Sequence, residues 1–343
     1  MSTTDSRALR SALQARQYAT ARYHSNPRVT LIDVGWRLKG GKPTGQLAVR
    51  FHLRNKPQDV RFESFSEAFP ALVIQKDEIP FDVVDIIESS YSLQWWPWYT
   101  TQPPVRGRSY DPLRGGISIS NEWFNNYGTL GGIVEDRASG QLMLLSNWHV
   151  LLGSAYAPRG LRIFQPGRGD GGGSWDAVGT IERDVMVDGL DAAVARLSGN
   201  RSWSTDQFDI GPVNGLAMPS LGMHVVKSGR TSDVTEGIVD GIEGEFPIRY
   251  GGLLREIRHV CRVVPLDDEK PVVSSAGDSG SWWLEEDTHN VVALHFAGSD
   301  DPELALAMAM PPVFEALDVK LPGQTQASTT RAPEITFGEL LPV

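Results

Sequence analysis

The stretch Ala276-Gly277-Asp278-Ser279-Gly280-Ser281 sets a serine between two glycines, at the end of a loop-like segment and just ahead of the apolar run Trp282-Trp283-Leu284. A serine hydroxyl is a poor nucleophile at neutral pH. It needs a base within hydrogen-bond reach and donors placed where negative charge develops on the attacked carbonyl. Gly277 and Gly280 permit the sharp bend that brings the N–H groups of Gly277 and Ser279 onto one oxyanion, a bend that a residue with a Cβ resists. Gly-Asp-Ser-Gly is also a good turn or helix-cap sequence, and the chain has 35 Gly, so on these residues alone both readings stay open.

The segments upstream decide between them. Leu144-Leu145-Ser146-Asn147-Trp148-His149-Val150 carries a histidine at the end of an apolar strand, and Leu190-Asp191-Ala192-Ala193-Val194-Ala195 an aspartate at the start of another. A carboxylate that fixes the tautomer of an imidazole and stabilises its charged form completes the set a serine nucleophile needs. The order His149, Asp191, Ser279 is that of the chymotrypsin arrangement; subtilisins and α/β-hydrolases use other orders. At all three segments, and over roughly residues 113 to 320, the chain resembles the trypsin-like serine peptidases. The resemblance implies a mainly β fold, a double antiparallel β-barrel, with catalytic His149, Asp191 and Ser279 and an oxyanion hole from the N–H groups of Gly277 and Ser279. A satisfied core histidine or a strand-edge aspartate accounts for one residue at a time, not for the three together.

With 343 residues, 41% hydrophobic and 22% charged, the composition is that of an ordinary globular protein large enough for two or three units. The N-terminus lacks the apolar run of a signal peptide, and no stretch is long enough to cross a bilayer. Cys261 is the only cysteine, which excludes an intramolecular disulfide. Secreted peptidases of this kind usually bridge their barrels, so a cytoplasmic location is expected. A formal charge of −10 argues against nucleic acid or an anionic membrane as the main partner.

Helical spacing of Leu9, Leu13, Tyr18 and Tyr23 predicts an amphipathic helix within residues 1–25. Residues 26–90 read as a small N-terminal α/β domain: strands Val29 to Leu38 and Gln46 to Leu53 around the turn Gly40-Gly41-Lys42-Pro43-Thr44-Gly45, a helix-like stretch from Phe62 to Phe69, and a third strand from Phe81 to Ile87. This module is similar to one ahead of the peptidase in cytoplasmic bacterial trypsin-like proteins related to the plant narrow-leaf type. Residues 91–114 form a Trp/Pro-rich linker with Trp95-Trp96-Pro97-Trp98-Tyr99, whose aromatics should pack on the peptidase or a neighbouring subunit, and with Arg106 and Arg108 in a solvated loop.

The peptidase domain is expected over 115–321, with barrels at about 115–205 and 215–321 and short strands at regular spacing. Gln165 to Ser174 reads as a mobile glycine-rich loop with too few spaced carboxylates for calcium, and neither a metal nor a cofactor is expected. Lys227-Ser228-Gly229-Arg230-Thr231 matches a stretch that opens the second barrel in the resembling bacterial enzymes. The resemblance further implies that Val273, His295, Phe296, Ala297 and Gly298 bind substrate, the segment ending at Gly298 lining the specificity pocket and pairing with the peptide backbone.

Val273 lies six positions before Ser279, where an acidic residue would select Lys or Arg. In glutamyl endopeptidases and picornaviral proteases of this fold a Gly-Ile/Met-His-x-x-Gly strand places a histidine that donates to Glu or Gln. Here the corresponding residues are Ala293-Leu294-His295-Phe296-Ala297-Gly298. His295 is thus either a specificity residue or a core histidine bonded to backbone. In zymogen-activated relatives of the resembling enzymes the residue at Asp278 pairs with a freed N-terminus, which here would require cleavage near Arg114. An internal cation such as Arg230 is the alternative, and an enzyme competent without processing is expected.

Residues 322–343 read as a polar, then apolar, tail, for which docking on a neighbour or entry into the chain's own cleft are the two expectations. Two functions are carried forward: a serine endopeptidase acting on protein or peptide, restrained by homo-oligomerisation or a regulatory partner, and a catalytically weak peptide-binding scaffold.

Overall fold

The computed structural model describes residues 6–39, 42–54, 79–81, 83–88, 91–93, 104–158, 160–199, 201–250, 253–266, 271–300 and 303–323. The N-terminal elements are helix α1 (Ser6–Tyr23), β1 (Val29–Lys39), β2 (Lys42–Leu53), β3 (Val84–Glu88) and β4 (Ser92–Leu93). There follow β5 (Leu113–Gly115), β6 (Ser118–Asn121), β7 (Gly128–Thr129), β8 (Gly132–Asp136), β9 (Leu142–Ser146), helix α2 (Trp148–Leu151), β10 (Arg162–Phe164), β11 (Ala177–Asp184) and β12 (Ala193–Leu197). Connecting strands β13 (Trp203–Gln207), β14 (Gly211–Pro212) and β15 (Gly215–Leu216) lead to β16 (His224–Gly229), β17 (Asp233–Tyr250), β18 (Leu253–Pro265), β19 (Trp282–Glu285), β20 (Asn290–Asp300), β21 (Glu303–Ala309), helix α3 (Met310–Ala316) and β22 (Val319–Lys320).

The mainly β, double-barrel expectation is met. One sheet runs β22-β8-β9-β12-β11-β10-β6-β7, and hydrogen bonds between Leu130 and Ile117 and between Gly116 and Leu130 link its two sides. In the other, β16-β19-β20-β21-β18-β17 closes on itself because β17 also pairs with β16. Alternation sends Ile133, Leu144, Ile163 and Val194 into the first interior and Val225, Val263, Trp283 and Val292 into the second. The short, regularly spaced strands expected here are observed, except that β17 and β18 form a far longer hairpin that runs out to Tyr250.

The first residues attach to the second barrel directly. β1 pairs with β17, so β1, β2 and β3 continue that sheet outward. A fully buried ion cluster pins the join: the Arg50 guanidinium donates to Asp33 at 2.8 Å and to Asp240 at 3.1 Å, and Arg262 donates to Asp240 at 2.7 Å. Charges so deeply buried are stable only as a set, and removing one member leaves the others uncompensated. Helix α1 lies over this extension. Its buried face is Ala12, Ala15, Ala19 and Tyr23, while Tyr18 is 41% exposed. Of the expected stripe, Leu9 and Leu13 pack half-buried against the same cores, Tyr23 is buried and Tyr18 alone turns outward, while the alanines between them let the helix approach the sheet.

Two further expectations change. Arg106 is buried, not solvated, and donates to Ser228 Oγ at 2.7 Å and the Gly229 carbonyl at 2.9 Å. The glycine-rich loop is tied down, because Asp170 accepts from Ser118 Oγ at 2.5 Å and pairs with the buried Arg230. The helix-like stretch at Phe62 to Phe69, the Trp95 to Tyr99 aromatics and the tail after Gly323 lie outside the described residues. Among the described residues no helix is long and apolar enough to cross a membrane.

Candidate active site

Strand β9 ends at Ser146, and the chain turns into the single helical turn α2, which carries His149. Asp191 sits just ahead of β12, the neighbour of β9. The aspartate grips the histidine twice: its Oδ1 accepts the His149 backbone N–H at 3.0 Å, and its Oδ2 lies 2.5 Å from His149 Nδ1. Both residues are buried. The Asn147 amide donates to the Asp191 carbonyl at 2.8 Å, fixing the loop that bears the carboxylate. Nδ1 is therefore the protonated ring nitrogen, leaving Nε2 as the basic one.

A third residue completes this group without any signal in the sequence reading. Tyr250, at the tip of the long β17–β18 hairpin, donates its hydroxyl to Asp191 Oδ2 and stacks on the His149 ring, centroids 5.8 Å apart and planes at 22°. Burial, then the Asp191 charge, pushes its phenol well above the usual range, so it stays a donor. The hairpin starts in the second barrel and reaches the first, where Arg258 N–H donates to the Gly189 carbonyl at 2.8 Å.

Ser279 comes from the second barrel. Its backbone carbonyl accepts from Thr129 N–H at 2.8 Å, and its hydroxyl lies 3.3 Å from the carbonyl of Phe296. A methyl group on Gly128 would lie 2.5 Å from Val150, next to His149, and 3.0 Å from the Ser279 carbonyl. The histidine turn and the serine loop therefore flank the same glycine. Gly277 takes φ +102°, and a side chain there would meet Thr231 Oγ1 at 2.5 Å and the Tyr127 ring at 2.6 Å. Gly280, at φ +98°, packs equally closely on Ser146 and Thr129.

Between them, Asp278 points inward and is fully buried. It accepts Lys227 Nζ at 2.9 Å and the backbone N–H groups of Ser275 at 2.9 Å, Thr231 at 2.9 Å and Ser232 at 3.1 Å. Burial alone would raise its pKa, but the Lys227 charge and the Ser232 hydroxyl outweigh that and hold the carboxyl well below the usual carboxylate range. The internal cation is thus Lys227, and Arg230, the candidate suggested by sequence, is engaged with Asp170.

The residues expected to bind substrate lie on β20 and beneath it. His295 exchanges backbone hydrogen bonds with Gly280 and Ser281 and is fully buried, its ring edge-on to Trp283 at 6.4 Å. Phe296 faces the Ser279 hydroxyl with its carbonyl, and Ala297 and Gly298 extend the strand. Val273 is packed in the second barrel's interior, its N–H and that of Ser274 donating to Glu303 Oε1 at 2.8 and 3.1 Å.

Burial, followed by Lys227 and outweighing Asp278, pushes His295 down to about 3, and burial pushes His52, beside Asp33, down to about 4. Both are neutral when folded and take up protons once unfolded below 6.5. Between pH 6.5 and about 4 the unfolded chain binds more protons at these positions, so stability falls with falling pH by about 1.4 kcal/mol per unit for each. Thermal unfolding from pH 7 to 4.5 should show the midpoint dropping below pH 6.5, with a shallower slope in His52→Gln.

No protein-family model matches the chain, nor does any curated protein. Solved structures do. A Nocardiopsis protease (NAPase) is 19% identical with a TM-score of 0.45, over 61% of this chain and 97% of that one. Thermobifida fusca protease A is 16% identical with a TM-score of 0.45, over 61% and 97%. A glutamic acid specific serine protease, described as using a novel histidine triad in substrate binding, is 17% identical with a TM-score of 0.46, over 61% and 100%.

Proposed function

We propose that the chain is a serine endopeptidase. The observation that carries this reading is the double attachment of His149 to Asp191, on a turn that meets the Ser279 loop over Gly128, with glycines beside the serine that have no room for side chains. In the proposed reaction His149 Nε2 takes the Ser279 proton as Oγ bonds to the peptide carbonyl carbon. The N–H groups of Gly277 and Ser279 stabilise the resulting oxyanion. The imidazolium then gives its proton to the departing amine, leaving an acyl-enzyme ester. Water, deprotonated by the same nitrogen, releases the acid and restores the serine. The reaction requires no cofactor. The lone, buried Cys261 supports a cytoplasmic setting, where restraint by self-association or a partner is proposed.

Val273 offers no charge to Lys or Arg, and His295 stands in a strand sequence similar to that of peptidases that bind Glu or Gln. These features support a preference for Gln or Glu before the scissile bond. A fluorophosphonate probe combined with peptide-library profiling tests the whole reading. Labelling that disappears in Ser279→Ala supports the peptidase, and its absence from the wild type, with peptide binding retained, would favour the scaffold function. Dominance of apolar or basic residues in the profile, or unchanged selectivity in His295→Ala, would remove the Gln/Glu preference.

Tyr250 is assigned a positioning role. Tyr250→Phe is expected to lower kcat about tenfold with KM little changed. Without the phenol, Asp191 loses one of the donors that hold it against His149 Nδ1, so the loss should fall on kcat per labelled active site. A purely structural role would instead lower the unfolding midpoint and the amount of labelled protein, leaving kcat per active site in place.

A further inference from the structure

β20 has two edges. Along one, β21 pairs with residues from Ala293 to Asp300. Along the other, β19 pairs only as far as Leu294, and His295 then exchanges hydrogen bonds with Gly280 and Ser281. Next in line the Ser279 hydroxyl faces the Phe296 carbonyl. Beyond Phe296 this same edge is taken by β4: Leu93 pairs antiparallel with Ala297, and Ser92 with Gly298. An extended peptide that sets a carbonyl at Ser279 and adds to β20 needs the backbone groups that β4 uses.

We propose that Ser92–Leu93 is an intramolecular occupant of the substrate edge, so that a polypeptide, bound as an extended strand, must displace the chain's own backbone. The proposal rests on the peptidase reading and deepens it. The occupant is tethered. The Tyr91 hydroxyl lies 2.7 Å from His52 Nδ1, and its ring packs edge-on against Phe246 at 5.8 Å, which in turn packs on Phe296 at 5.7 Å. His52 sits 3.1 Å from Asp33, inside the ion cluster that fastens the N-terminal strands. That anchorage keeps β4 at high local concentration, while its hold on β20 is two residues long and can open without disturbing either barrel. If the edge is open in about a tenth of molecules, the apparent KM for extended peptides is raised about tenfold.

Ser92→Pro/Leu93→Pro removes both N–H donors of β4. In this variant KM for extended peptides is expected to fall about tenfold. The rate of Ser279 labelling by a small fluorophosphonate, which does not use the β20 edge, should stay unchanged. Labelling at Ser279 in both proteins with KM equal or higher in the variant would overturn the proposal. Absence of labelling in both would overturn the peptidase reading, and this inference with it. A second measurement needs no variant: covalent modification of the wild type by a peptidyl phosphonate spanning several residues should speed amide hydrogen exchange at Tyr91 to Leu93. Unchanged exchange there in fully modified protein would also overturn it.

Discussion

Ser279→Ala is expected to lower kcat/KM on peptides by roughly 10⁴ to 10⁶ and to abolish fluorophosphonate labelling. The effect on folding should be small, because the hydroxyl makes a long 3.3 Å contact to the Phe296 carbonyl, and losing it costs no more than about 1 kcal/mol. His149→Ala should give a loss of the same size. The double variant should be no worse than either alone, since nucleophile and base act as one unit and removing either removes both. Steady-state kinetics on a peptide found by profiling, together with denaturant unfolding of each variant, checks this. Activity of Ser279→Ala within about 100-fold of wild type would leave the serine without the assigned role, and fully additive losses would show that the two residues do not cooperate.

Ser279, His149 and Asp191, the residues of the proposed unit, stand out in the chain because each sits in a short segment with its own local signal: glycines flanking Ser279, an apolar strand leading into His149, and another following Asp191. The barrels were legible for a similar reason, since alternation and turn spacing are local. What escaped the sequence depends on long-range placement. Tyr250 is one aromatic in an alternating strand, and nothing near it marks the hairpin tip as the point that meets Asp191, 59 positions away. Lys227 stands in a barrel-opening motif, and nothing local marks its partner, Asp278, 51 positions further on. The attachment of β1 to β17 likewise joins segments whose own patterns only announce strands. On α1 the buried alanines carry little apolar signal of their own, although close helix-to-sheet packing favours small side chains.

Lys227→Met is expected to destabilise the protein by about 3 to 5 kcal/mol, because it leaves the buried Asp278 carboxylate with hydrogen bonds but no countercharge. Asp278 is held below its ordinary pKa chiefly by Lys227, against the effect of burial, so its contribution to stability is present above the unfolded value of 3.8 and is lost as pH falls through the folded one. Without the lysine the folded pKa rises, that contribution shrinks, and loss of stability on acidification should begin at higher pH than in the wild type. Activity should suffer as well. Asp278 gathers the N–H groups of Ser275, Thr231 and Ser232, and this holds the turn that sets the Gly277 and Ser279 amides. Slackening the turn is expected to cost about 10² to 10³ in kcat. The combination Lys227→Met/Asp278→Asn separates the two effects, since it removes the uncompensated charge and should recover much of the stability. It should not recover kcat if the carboxylate's grip on three backbone amides is what shapes the oxyanion site. Chemical unfolding and fluorophosphonate labelling rates of the two single variants and the double one supply the cycle. A single variant within about 1 kcal/mol of wild type would show that the hydrogen bonds alone carry Asp278, and full kinetic recovery in the double variant would assign the turn's geometry to charge balance instead.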